Sequence, residues 1–255
     1  MTSLVPWVAF TGAVLAILAI DLGLFNRKAH APSLREAATW SAVWVTLALA
    51  FAGWIFHARG SQAGTEFLTG YLIEYSLSVD NIFVIVLIFS YFGIRGEYQH
   101  RILFWGIIGA LVMRGVMIGA GAALIARFEW VTYVFGAFLL ITGVRMGVAG
   151  EKEIDPGANP VIRLVKRLMP VVTDYDGQKF FIETSTPGGA RRAATPLFVV
   201  LVLIETMDLV FAVDSIPAVF AVTRDPYLVY TSNVAAILGL RSLYFLLAGA
   251  VEKFR

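Results

Sequence analysis

The sequence predicts an all-α, polytopic bundle of membrane-spanning helices, and three observations predict it. The chain is 58% hydrophobic and 15% charged over 255 residues, with a mean hydropathy of +0.77. That is more apolar surface than a water-soluble domain can hide. Seven stretches, roughly 4–24, 38–57, 67–92, 102–126, 130–149, 195–222 and 228–251, each approach the about 20 apolar residues that a bilayer demands of a helix. The loops between them alternate in charge. One side holds Arg27, Lys28, Arg35, Arg95, Arg101, Lys152, Arg163, Lys166, Arg167, Lys179, Arg191, Arg192, Lys253 and Arg255, and the other only Arg59, Arg127 and Arg224. The positive-inside rule then sets the N-terminus outside and Arg255 in the cytoplasm.

The first run opens without Lys or Arg from Met1 to Trp7. A cleaved signal peptide normally starts with positive charge, so this run is expected to stay as a helix, with Asp21 near its inner end. Trp40, Trp54 and Trp130 fall near predicted helix ends, where interfacial aromatics belong. The fourth and fifth spans carry Gly115/Gly119 and Gly143/Gly147, small residues four apart that let helices approach closely. A sizeable polar segment follows. Within it, Asp176-Gly177 between apolar-rich flanks 171–175 and 179–182 predicts a β-hairpin turn. Pro187-Gly188-Gly189 predicts a loop before the sixth span. The expected organisation is five spans in 1–149, a cytoplasmic loop with a hairpin in 150–194, and two spans in 195–255.

Two stretches repeat. Glu74-Tyr-Ser-Leu-Ser-Val-Asp80-Asn81 in the third span matches Asp208-Leu-Val-Phe-Ala-Val-Asp214-Ser215 in the sixth: an acid, five residues, Asp, then a small polar group. Each is followed by a span with an interior arginine, Arg114 or Arg241. Three crossings separate the copies, so they run in opposite directions. Spans three to five against six onward then form an inverted repeat, an architecture that sets a site near the bilayer midplane. Six residues are about 9 Å of helix rise. Symmetry would put Glu74 level with Asp214 and Asp80 level with Asp208, with Glu205 on the Asp208 face. Pro217, three residues after Asp214, either breaks the helix and frees backbone carbonyls or leaves an ordinary kink.

Buried ionised carboxylates need partners. Glu74, Asp80, Glu205, Asp208 and Asp214 outnumber Arg114 and Arg241, which are expected in structural ion pairs. The excess acids must be protonated, solvated or cation-bound. A set of purely structural pairs is the competing reading. His30, His57 and His100 fall in or beside loops and there is no cysteine, so the interior offers neither imidazole nor thiolate. The carboxylates remain, with Asn81, Asn233, Ser78, Ser215 and backbone carbonyls. Oxygen donors alone suit magnesium, calcium or manganese. A formal net charge of +2 gives no reason to expect nucleic acid.

The runs 74–81 and Glu205-Thr-Met-Asp208 to Pro217, together with Thr231-Ser-Asn233 and Gly239-Leu-Arg241-Ser-Leu-Tyr, closely resemble the TerC family, which is named for tellurium resistance and includes manganese exporters. The resemblance covers nearly the whole chain. It implies a bacterial inner-membrane protein of metal-ion homeostasis, with Glu74, Asp80, Asn81, Glu205, Asp208, Asp214 and Ser215 as functional positions and Asn233 as a further ligand. Family members usually continue for two more helices, so the second repeat is expected to lack its third helix here.

The expected function is export of a divalent cation as substrate, manganese before calcium or magnesium, with exchange for protons as one coupling open to it. The alternative is a membrane scaffold in a metal or tellurite stress response, meeting a protein partner through 150–194. An enzyme is not expected: a Gly-x-Gly-Asp segment is absent, as are thiols for tellurite reduction.

Overall fold

A computed structural model describes residues 4–20, 33–148, 159–173, 177–186 and 189–253. Asp21, His30, Lys152, Asp176 and Arg255, among the residues read above, lie outside them, as do Arg27 and Lys28. The described chain is an all-α polytopic membrane bundle with one small hairpin. Its elements are α1 (Val5–Ile20), α2 (Leu34–Arg59), α3 (Ser61–Tyr91), α4 (Gly96–Arg127), α5 (Val131–Val148), α6 (Pro160–Leu168), β1 (Phe181–Thr186), β2 (Gly189–Ala194), α7 (Pro196–Val222), α8 (Pro226–Leu238) and α9 (Leu240–Lys253). Among the described residues, five segments are long and apolar enough to cross a membrane: Leu34–Arg59, Ser61–Tyr91, Gly96–Arg127, Pro196–Val222 and Pro226–Ala250. Val5–Ala19 and Val131–Arg145 are shorter apolar helices.

Local chemistry fixes the ends. Ser33 accepts a hydrogen bond from the Glu36 N–H at 3.3 Å, capping α2. Asn159 and Asp225 do the same for α6 and α8, each at 2.9 Å and each followed by proline at the first helical position. Gly60 joins α2 to α3 as a single residue at φ 90°, a conformation that side chains disfavour. The last predicted span has a local irregularity at Gly239, where α8 ends and α9 begins. Gly239 keeps helical dihedrals (φ −77°, ψ −14°), so the two halves still read as one crossing.

Pro217 does not break its helix: α7 runs on to Val222. The proline offers no N–H to the Val213 carbonyl, but Pro217 is buried, in a stretch whose Ile216, Val219 and Phe220 belong to one core cluster.

The hairpin differs from expectation. β1 and β2 pair antiparallel from Phe181↔Ala194 to Thr186↔Gly189, so the hairpin is made by 181–186 and 189–194 and not by the flanks of Asp176-Gly177; Pro187 and Gly188 lie outside the described residues. Gly177 does turn the chain (φ 57°), but Val171 makes a parallel bridge to Ala194 instead of pairing with 179–182. The reason is burial. Ala193 and Ala194 are fully buried, and the Phe181 ring lies 4.5 Å from Phe198 in the first turn of α7. That apolar anchor fixes the strand. The sequence reading also missed α6, although Asn159-Pro160 and the spacing of Ile162, Val165 and Met169 signal it.

Helices α3, α4, α7 and α8 pack together as the core, with α2 and α9 against α3 and α5 against α7. The outer faces are apolar: Leu72, Phe83, Val112, Val116, Leu140 and Val210 all stand exposed. On a membrane protein that surface meets lipid.

Candidate functional site

The guanidinium of Arg114 sits at the centre of the four core helices and is fully buried. An isolated charge at that depth is untenable, and each core helix answers it. From α3, Glu74 Oε1 accepts from Nη1. From α7, Asp208 takes Nη2 at 2.8 Å on Oδ1 and Nε at 3.4 Å on Oδ2, a two-point grip. From α8, Asn233 Oδ1 accepts from Nη1 at 3.2 Å. The Asn233 amide is itself fixed, since its Nδ2 donates to the Val229 carbonyl at 3.1 Å. Close helix approach makes this possible: a Cβ on Gly70 of α3 would lie 2.8 Å from Ser232 Oγ of α8.

Two carboxyl groups thus share one guanidinium. The polar interior extends beyond it. Glu74 Oε2, Ser78 Oγ, Asn81 Oδ1 and Ser215 Oγ are buried and have no hydrogen-bond partner among the described residues. Glu74, Ser78 and Asn81 follow at i, i+4 and i+7, one face of α3; Asp208 and Ser215, seven apart, share a face of α7. Asn81 and Asp208 border one small cavity of about 40 Å³, walled by Gly106 and Ala110 of α4, Met207 and Phe211 of α7 and Ile237 of α8. A buried water needs roughly 10–15 Å³ on the same measure. The space is large enough for a few waters, and apart from Asn81 and Asp208 its lining is apolar. Buried oxygens left unpaired beside a carboxylate are the donor set for a hard cation.

Glu205, one turn before Asp208, is half-buried against α4. A Cβ at Gly109 would fall 2.0 Å from its Oε1 and 2.4 Å from its Oε2, so the carboxylate occupies the space that only glycine leaves. No residue choice in the third or sixth span pointed to Gly109; the missing side chain was the signal.

The five acids do not converge as expected. Asp80 is exposed and Asp214 is half-buried, and among the described residues no three His, Cys, Asp or Glu come together as a metal cluster. Helix geometry explains this. Six residues turn a helix through about 240°, so Asp80 cannot share a face with Glu74, nor Asp214 with Asp208. In each repeated motif the first and last members turn inward together and the aspartate between them does not. The expected pairing of levels also fails: Glu74 meets Asp208, not Asp214, because one guanidinium binds both and sets the helix register. Arg241 lies elsewhere, in a small recess with Glu36, Trp40, His100 and Ser242.

Comparison with known proteins follows the same lines. The profile of the family described as "Integral membrane protein TerC family" matches residues 59–255. An uncharacterized membrane protein of Myxococcus xanthus is 54% identical over 248 residues, covering 97% of this chain and 76% of that protein. A protein of Escherichia coli K12, named as a proposed membrane-bound redox modulator, Alx, is 48% identical over 257 residues, covering 97% of this chain and 79% of its own length. An uncharacterized membrane protein of Rickettsia felis is 40% identical over 248 residues, covering 97% and 81%. No solved structure matches.

Proposed function

The chain belongs to the TerC family of integral membrane proteins, and from that premise we propose that it exports a divalent cation, manganese foremost, across a bacterial inner membrane. The observation that carries this reading is the unpaired, buried Asn81 Oδ1 on the cavity that Asp208 also borders. Such an atom is penalised unless something positive or a proton donor visits it. The inverted relation of α3 and α7 and an outside N-terminus belong to the same proposal.

In this reading Arg114 is the resident counter-charge. It holds Glu74 and Asp208 together while no cargo is present. A cation entering beside Asn81 and Asp208 competes for the Asp208 oxygens. Glu205 stands next to Asp208 as the relay on the inner side. Oxygen donors accept manganese, magnesium and calcium alike; the order among them rests on the family resemblance. The relatives' redox description fits a chain without cysteine if its influence runs through the level of a redox-active cation.

Purified protein in sealed vesicles tests this. Manganese flux by the wild type, lost in Asp208→Asn at equal protein content, is the expected result. Equal flux through both, or none through the wild type for any of the three cations, would sink it.

A further inference from the structure

Helix α6 presents a surface that the proposed transport does not use. At about 100° per residue its side chains fall into three sectors. Ile162 and Val165 are buried in the core that also contains Leu197, Val200 and Leu203 of α7, which fixes α6 at the foot of a membrane-spanning helix. Leu164 and Leu168, four apart, form a second sector and stand 54% and 75% exposed. Arg163, Lys166 and Arg167 form the third; all are exposed, and none has an ion-pair partner among the described residues. A solvated connector gains nothing from two exposed leucines beside a basic stripe. A helix held at the bilayer edge does, because it can offer hydrocarbon to the acyl boundary and positive charge to the headgroups. Arg191 and Arg192, exposed on β2 just before α7, add to the charge at the same end.

We propose that α6 lies in the headgroup layer of the inner leaflet as a binding site for anionic lipid, with Leu164 and Leu168 inserted and Arg163, Lys166 and Arg167 on the lipid phosphates. The occupant is argued from charge complementarity and from continuity with the spanning helix that α6 packs on. The site anchors the foot of α7 at the membrane surface.

The chain has no cysteine, so single-cysteine labelling is clean. Leu164→Cys, Leu168→Cys, Arg163→Cys and Arg167→Cys would each carry a nitroxide on the full-length protein, in vesicles of phosphatidylglycerol mixed with phosphatidylcholine. The expected result is strong collision with oxygen and weak collision with a water-soluble nickel chelate at 164 and 168, and the reverse at 163 and 167. Four labels equally open to nickel would place α6 in water and overturn the proposal. Labels at 164 and 168 shielded from both reagents would indicate a protein cover, a second copy or another partner, and overturn it too. Brominated lipid quenching of a fluorophore at Leu164→Cys then tests the charge. Preference for phosphatidylglycerol should fall about fivefold for each basic residue replaced in Arg163→Gln, Lys166→Gln and Arg167→Gln. An unchanged preference in the triple variant would remove the basic sector from the account.

Discussion

Two arginines of this molecule make the same bond in different surroundings. Arg59, at the C-terminal end of α2, meets Asp225 at 2.9 Å with side chains 40% and 34% exposed, and its guanidinium also lies over the Tyr227 ring. Arg114 meets Asp208 at 2.8 Å with 0% and 13% exposure, and shares Glu74 and Asn233 besides. Geometry alone would rank them as equals. Burial separates them. The outer pair exchanges water for a partner at little net gain, whereas the inner group has nothing but its partners, and removing one strands a charge.

The sharpest way to break this comparison is to remove each guanidinium. Arg114→Met should cost about 3–5 kcal/mol, because Glu74 and Asp208 are left facing each other without a cation. The thermal unfolding midpoint of protein purified in detergent should drop steeply, or folded protein should not be recovered. A midpoint within a degree or two of wild type would mean that the node contributes nothing.

A smaller effect is expected at Gly109. Gly109→Ala pushes a methyl into the space of the Glu205 carboxylate, an overpacking worth about 1–3 kcal/mol. Adding Glu205→Ala should recover most of the stability but not transport. Failure of the double variant to recover would show that the strain lies in the backbone and not at the carboxylate.

The smallest effect belongs to the outer pair. Arg59→Gln should shift stability by roughly 0–1 kcal/mol, and added salt should narrow even that difference. A loss as large as that of Arg114→Met would refute the burial argument itself.

Much of this fold was legible because membrane crossing leaves a simple mark: long apolar runs separated by charged turns. The chemistry was legible as well, since acids inside such runs demand an account. What the sequence withheld was direction. Asp80 and Asn81 are neighbours, yet only Asn81 faces the interior, and reading the repeated motif as a ladder of acids hid the rotation between its members. Counting turns would have shown that Glu74 shares its face with Asn81, and Asp208 with Ser215. That Glu74 and Asp208 share one guanidinium was less accessible, because it depends on how far four helices slide past each other. Gly109 was hidden for a different reason: it acts through the atoms it lacks. The hairpin register turned on the Phe181 ring against Phe198 of α7 and on the burial of Ala194, tertiary features with no local trace.

Equilibrium binding of manganese to the purified protein, followed by loss of the free-ion signal in electron paramagnetic resonance, tests the interior site most directly. Asn81→Leu is the variant of choice, because Oδ1 of Asn81 has no partner to strand and an apolar side chain of similar size should leave stability equal or higher. The wild type is expected to sequester the ion, and Asn81→Leu, folded and at least as stable, to bind it about tenfold more weakly or worse. Equal binding by the two proteins would contradict a cation site between α3 and α7.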